Sequence, residues 1–142
     1  MKVFLDTSAF AKRYIAEAGS DKVQDLCARA EGLAVSVICL PEILSTLTRL
    51  TRETKLTRAQ YNTLKTNVLA DLGDADICEI TTDVMSRVVR LLESNPLRAM
   101  DAIHLASALA YQPDVFVSAD HRQIAAAKKA RLKVVDVSLK NT

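Results

Sequence analysis

At 142 residues, with 49% hydrophobic residues and only 3 glycines and 3 prolines, the chain has the composition of a globular domain able to bury its own core, which excludes a disordered or collagen-like polymer. A net charge of +2, from 19 basic and 17 acidic side chains, neither demands nor excludes a polyanionic partner. No apolar run approaches the roughly 20 residues of a membrane span, and the N-terminus lacks the basic start, long apolar core and cleavage site of a signal peptide, so a cytoplasmic protein is expected.

The chain opens on a β-rich run, KVFL (2–5), followed by helical stretches over TSAFAKRYIAEA and, after Gly19, SDKVQDLCARAE. LAVSVI (33–38) is the next strand. PEILSTLTRLTRETK then has Pro41 at a plausible first helical position, and TRAQYNTLKTNVLADL opens on Thr57, a good N-cap. With no strand between Pro41 and Leu72, these two predict a helical hairpin leaning away from the sheet. DICEI (76–80) is a weaker strand, TDVMSRVVRLLES a helix, and RAMDAIHLASALA (98–110) a helix made for burial. DVFVS (114–118), the helix HRQIAAAKKA and LKVVDV (132–137) complete the order. The strand runs are apolar almost continuously instead of alternating, as parallel strands covered on both faces are. Strand and helix alternate throughout, which predicts a three-layer α/β fold, and no repeat or linker divides residues 1–142. Cys27, Cys39 and Cys78 form no CxxC pair and read as buried free thiols.

Ligand sites in open parallel sheets form at the carboxyl ends of the strands. Asp6 directly ends the first strand, Glu42 lies in the opening turn of the helix after the second, and Asp120 follows VFVS. Asp101 opens the apolar helix before that strand, and pattern does not place it relative to the edge. Taken singly, Asp6 and Asp120 suit N-caps and Glu42 suits the positive end of a helix dipole. Asp101 resists such a reading best, because an unpaired carboxylate in apolar surroundings costs several kcal/mol. One site accounts for all four placements together. Two carboxylates about 5 Å apart repel by roughly 3 kcal/mol at an effective dielectric near 20, so a cluster of four calls for a cation. Oxygen ligands without His or Cys suit Mg²⁺ or Mn²⁺.

The segments VFLDTSAFAKRYIAEAGSDKV, PEI, RAMDAIHLASAL and VSADHRQIAAAKKARLKVV resemble, in order and spacing, the PIN domain, and specifically the VapC-type toxins of toxin–antitoxin pairs. The family's quartet of acids falls on Asp6, Glu42, Asp101 and Asp120, and its small polar residues on Ser8 and Ser118. The resemblance implies a five-stranded parallel sheet and a homodimer. It also implies a Mg²⁺- or Mn²⁺-dependent endoribonuclease acting on tRNA or ribosomal RNA, and a small antitoxin that blocks the site. On that reading the four acids hold the metal, and cleavage leaves 5′-phosphate and 3′-hydroxyl ends.

Ser8 and Ser118 could position water or a carboxylate, although both also suit helix-start turns. His104, three residues after Asp101 on a neighbouring helix face, could hydrogen-bond near the site, although a satisfied core histidine is the commoner reading. Lys12, Arg13, Arg49, Arg98, His121 and Arg122 fall near the expected rim, and of these Arg49, Arg98 and Arg122 are the candidate RNA contacts. The stripe Ile43, Leu47 and Leu50 is expected in the core or at a dimer interface, and Tyr14 and Tyr61 in packing. Other readings compete, among them a receiver-type signalling domain, which needs paired acids near the first strand that FLDTS does not provide. A phosphatase with Asp6 as nucleophile wants a second acid two residues on, where this chain has Ser8. A non-catalytic RNA- or protein-binding module of the same fold would be free to lose the acids, and all four are present.

Overall fold

The computed structural model describes residues 1–139; the last three of the 1–142 domain lie outside it. The chain runs through β1 (Lys2–Leu5), α1 (Thr7–Phe10), a 3₁₀ turn (Ala11–Arg13), α2 (Ser20–Arg29), β2 (Gly32–Ser36), α3 (Cys39–Arg52) and α4 (Arg58–Gly73). It continues through β3 (Asp76–Cys78), α5 (Thr82–Ser94), α6 (Ala99–Tyr111), β4 (Val115–Ser118), α7 (His121–Lys129) and β5 (Val134–Asp136). All strand pairs are parallel, in the order β3-β2-β1-β4-β5. The sheet is the expected five-stranded one, and β1 is its centre.

The pleat divides the core in two. Val3, Leu5, Val35, Val115 and Val117 face one way and pack with Phe10, Val23, Leu26, Ile43, Leu47, Tyr61 and Val68 from the first four helices. Phe4, Ala34 and Phe116 face the other way and pack with Val84, Val88, Leu105 and Ala127 from the last three. Both faces are therefore covered, which is why the strands read as unbroken apolar runs. The hairpin of α3 and α4 is present, and its inner residues Ile43, Leu47, Tyr61 and Val68 are buried in the first of these clusters, while Leu50 is half-buried. Thr57 caps α4 as expected, its hydroxyl accepting from Gln60 N–H at 3.0 Å while the Gln60 side chain accepts from Thr57 N–H at 2.8 Å.

Some boundaries differ from the sequence reading. The helix expected over TSAFAKRYIAEA stops at Arg13. There the buried Lys12 turns its ammonium onto the Ala18 carbonyl at 2.6 Å and onto Glu17 at 3.1 Å, folding residues 14–19 into a loop. The second strand ends at Ser36, whose hydroxyl accepts from Ile38 N–H at 3.3 Å and starts the turn into α3. Pro41 is consequently the third helical residue, still within the first turn, where an N–H would find no partner inside the helix and its absence removes no hydrogen bond. The three cysteines are free, but only Cys39 is fully buried, its thiol pushed up to about 12 by burial. Tyr61 is a packing residue; Tyr14 packs edge-on against Phe10 and also donates to Asp71 at 2.6 Å.

Candidate active site

The strand order reverses direction at the β1–β4 pair, so the crevice of the sheet opens where Asp6 follows β1 and Ser118 ends β4. Asp6 is the N-cap of α1, but it does more than cap. It is fully buried. One carboxylate oxygen accepts from Ala9 N–H at 2.9 Å and the Ser8 hydroxyl at 2.7 Å, and the other accepts from the Ser118 hydroxyl at 2.5 Å. Burial pushes this carboxyl above its ordinary range, against the opposing pull of those hydrogen bonds. Ser118 in turn accepts from Asp120 N–H at 2.9 Å, and Ser8 accepts from Ala119 N–H at 3.0 Å. Both serines therefore stitch β1 to the segment after β4.

Asp120 caps α7, accepting from Arg122 and Gln123 N–H at 2.9 and 3.2 Å. The Gln123 side chain reaches across to α6 and donates to Asp101 at 3.2 Å. Asp101, also buried, takes its other hydrogen bond from Arg98 N–H at 3.2 Å, with the exposed Arg98 guanidinium 3.6 Å away. The aspartate in the apolar helix has its partners: a buried amide, a backbone N–H and the edge of one cation.

Glu42 completes the set from α3. It accepts from the Thr7 hydroxyl at 2.6 Å and lies 2.5 Å from His104 Nε2. Thr7 is the neighbour of Asp6, and His104 stands one helical turn after Asp101. Burial pushes Glu42 up, but the His104 and Thr7 hydrogen bonds and the His104 charge outweigh it, and the net shift is downward. A carboxyl held low stabilises the fold when ionised, and that contribution is lost as pH falls through the lowered value. The melting-temperature advantage of wild type over Glu42→Gln, measured in EDTA, is therefore expected to shrink from about pH 6 to about pH 3. A pH-independent difference would show that the His104–Glu42 contact does not stabilise the ionised form.

Three of the four acids thus sit on one hydrogen-bonded chain, Asp6 to Ser118 to Asp120 to Gln123 to Asp101, while Glu42 belongs to a second cluster with Thr7 and His104, chain neighbours of Asp6 and Asp101. Two of the residues in these clusters, Thr7 and Gln123, escaped the sequence reading, and a third, His104, was read chiefly as core. Thr7 and Gln123 carry no periodic signal, and His104 matched a core residue by its apolar neighbours; it is buried, and it is also a hydrogen-bond partner of a site carboxylate. Two rim expectations are corrected. Lys12 is buried and paired with Glu17, and Arg13 is largely buried, with Asp71 at 3.7 Å and the rings of Phe10 and Tyr14 beside it. Arg49 is exposed and pairs with Glu53 at 3.4 Å, whereas His121 and Arg122 are exposed immediately beyond Asp120.

No three of the described His, Cys, Asp or Glu residues are arranged as they stand to hold one metal ion. The donor chemistry nevertheless fits a hard divalent cation. Every site acid offers oxygen, Asp6 is buried against neutral donors only, and the carbonyl oxygen of the buried Gln123 amide, beside Asp101, has no hydrogen-bond partner. Glu42 and Asp120 each use one carboxylate oxygen in the hydrogen bonds given above, which leaves the second oxygen of each for a ligand.

The sequence profile described as PIN domain matches residues 3–129. Ribonuclease VapC49 of Mycobacterium tuberculosis is 30% identical over 108 residues, covering 76% of this chain and 75% of the relative. Among solved structures, a toxin–antitoxin complex from Klebsiella pneumoniae superposes with a TM-score of 0.69 at 20% identity, over 94% of this chain and 95% of that one. Mycobacterium tuberculosis VapC20, a toxin that cleaves the sarcin–ricin loop, gives 0.65 at 19% identity, over 87% and 94%. At these identities the structural likeness speaks for the fold.

Proposed function

From the premise that the chain belongs to the PIN-domain family, within its VapC ribonuclease group, we propose that it is a metal-dependent endoribonuclease toxin that hydrolyses RNA phosphodiester bonds. The observation that carries this reading is the Asp6 carboxylate, buried against neutral donors at the sheet's crevice and linked through Ser118, Asp120 and Gln123 to Asp101. Asp6, Glu42, Asp101 and Asp120 would hold Mg²⁺ or Mn²⁺. When bound, the cation supplies Lewis-acid polarisation of the phosphate and a water of lowered pKa.

The chain's own residues do the rest. Ser8 and Ser118 fix both oxygens of Asp6, Gln123 fixes Asp101, and Thr7 with His104 fixes Glu42. Hydrolysis by water leaves the substrate's 2′-hydroxyl without a role in bond breaking, so preference for RNA rests on shape and contacts. Arg98 and Arg122, on either side of the carboxylates, and Arg49 two helical turns from Glu42, are the proposed phosphate contacts. The expected substrates are tRNA or ribosomal RNA, and the expected neutralising partner is a cognate antitoxin. Residues 1–142 are read as one domain acting in the cytoplasm; no helix among the described residues is long and apolar enough to cross a membrane. Homodimerisation is supported by an exposed apolar stripe on α5, Met85, Val89 and Leu92, at i, i+4 and i+7.

The test pairs wild type with Asp101→Asn, purified identically and free of antitoxin, on total bacterial RNA in EDTA, Mg²⁺ or Mn²⁺, with cut ends mapped by sequencing. Discrete metal-dependent cuts by wild type alone are expected. Equal cutting by both proteins would refute the site, and no cutting by either would favour a non-catalytic binding module.

A further inference from the structure

A groove of about 450 Å³ runs between the outer face of α7 and the turn that leads from α5 into α6. Its α7 wall is built from His121, Arg122, Ala125, Ala126 and Lys129, and Pro96 lies opposite. Both walls grow out of the candidate active site. The residue before His121 is Asp120, and the turn containing Pro96 passes through Arg98 to Asp101, the third residue of α6. Gln123, on the buried side of the same helix, ties the two walls together through Asp101. The groove therefore adjoins, on each wall, the segment that carries one of the four carboxylates, Asp120 or Asp101.

Its charge is one-sided. No acidic residue lies between His121 and Val135, a stretch that carries Arg122, Lys128, Lys129, Arg131 and Lys133. Arg122 and Lys129, seven residues apart and both exposed, stand on one face of α7 about 10 Å apart along its axis. The Lys129 ammonium is steadied over the groove by the Ser94 carbonyl at 2.9 Å. Pro96, Ala125 and Ala126 between these cations form an apolar floor. Cations at the rim and an apolar floor match a nucleotide strand, whose phosphates and base faces alternate along its length.

We propose that this groove is the track along which an RNA strand runs away from the carboxylates, its phosphates against Arg122 and Lys129 and its sugars and bases over Pro96 and Ala125. The track rests on the ribonuclease reading and assigns one side of the site to substrate holding. It predicts that affinity for the strand depends on these two side-chain cations even where no metal ion is available for cleavage.

The experiment measures anisotropy of a fluorescein-labelled, mixed-sequence single-stranded RNA in EDTA, from about 50 to about 300 mM KCl. Wild type is compared with the double variant Arg122→Glu/Lys129→Glu and with Arg29→Glu/Lys65→Glu, which changes net charge equally at sites away from the groove. The groove variant is expected to bind at least about tenfold more weakly at the lowest salt, and its log–log salt slope to fall by roughly 1.4, the value for two lost single-strand phosphate contacts. The control variant should keep most of the wild-type slope, and the Mn²⁺-induced rise in melting temperature should survive in the groove variant as a check on its fold. Equal weakening of both variants, unchanged binding by the groove variant, or no RNA binding by wild type would each overturn the track. The ribonuclease reading fails on a different result, the absence of metal-dependent cuts by wild type, whatever the groove binds.

Discussion

Asp6→Asn is expected to abolish RNA cleavage and, with divalent cations chelated, to make the protein more stable. Both effects have one cause. The Asp6 carboxylate lies fully out of water, and its direct partners are two hydroxyls and a backbone N–H, none of them charged. Burial therefore works against its ionised form at neutral pH. Asparagine keeps the acceptor for Ser8 and Ala9 and sheds the charge, and the Ser118 hydroxyl can rotate to accept from the new amide. A gain of about 1–2 kcal/mol is expected, by analogy with replacing other buried charges, or roughly 3–6 °C in melting temperature. Loss of a carboxylate at the reacting phosphate should lower cleavage on the order of a thousandfold. Thermal unfolding in EDTA and cleavage in Mn²⁺ check the two halves separately. Retained cleavage would remove Asp6 from the chemistry, and a lower melting temperature would mean that its hydrogen bonds outweigh its burial.

Gly19→Ala should be the most damaging single methyl group outside the site. Gly19 precedes α2 with φ of 89°, a left-handed conformation that costs a residue bearing Cβ roughly 1–2 kcal/mol. A Cβ built there would stand 2.0 Å from the Val137 carbonyl oxygen and 3.0 Å from its carbon, so backbone would have to move. Val137 is itself buried in the core and donates its N–H to the Ser118 carbonyl at 3.0 Å. Strain and overpacking together are expected to cost about 3 kcal/mol or more, a fall of roughly 6–12 °C. Urea unfolding of the variant beside wild type measures this directly. A loss under about 1 kcal/mol would mean that the segment after β5 yields easily.

The strands β1 and β4 and the caps at Thr57, Asp6 and Asp120 were legible because each is a local signal, an apolar run or an oxygen before a helix. What the sequence concealed is non-local. The shortened first helix depends on Lys12 finding the Ala18 carbonyl, and a lysine in a helical pattern reads as solvated surface. Gln123 carries no mark of its place beside Asp101, because glutamine on an amphipathic helix is ordinary until a neighbouring helix supplies an acceptor. His104 was half-legible: its apolar neighbours describe a core residue correctly and its spacing from Asp101 allowed a hydrogen bond near the site, but neither announces Glu42 arriving from α3. Asp101 was the exception. A carboxylate inside an apolar helix announces that it needs a partner, though not which one.

The central position of β1 sets a timetable for the newborn chain. Asp6 leaves the ribosome among the first residues, yet the hydroxyl that holds it, on Ser118, follows 112 residues later, and Glu42 waits 62 residues for His104. Until β4 is made, β1 lacks its neighbour on one side and the crevice does not exist. Helices and the β1–β2 pair can form early, because their contacts are closer in sequence. The site itself closes only when nearly all of the chain has been translated. A polypeptide cut short before β4 would carry three of the four acids and no assembled centre.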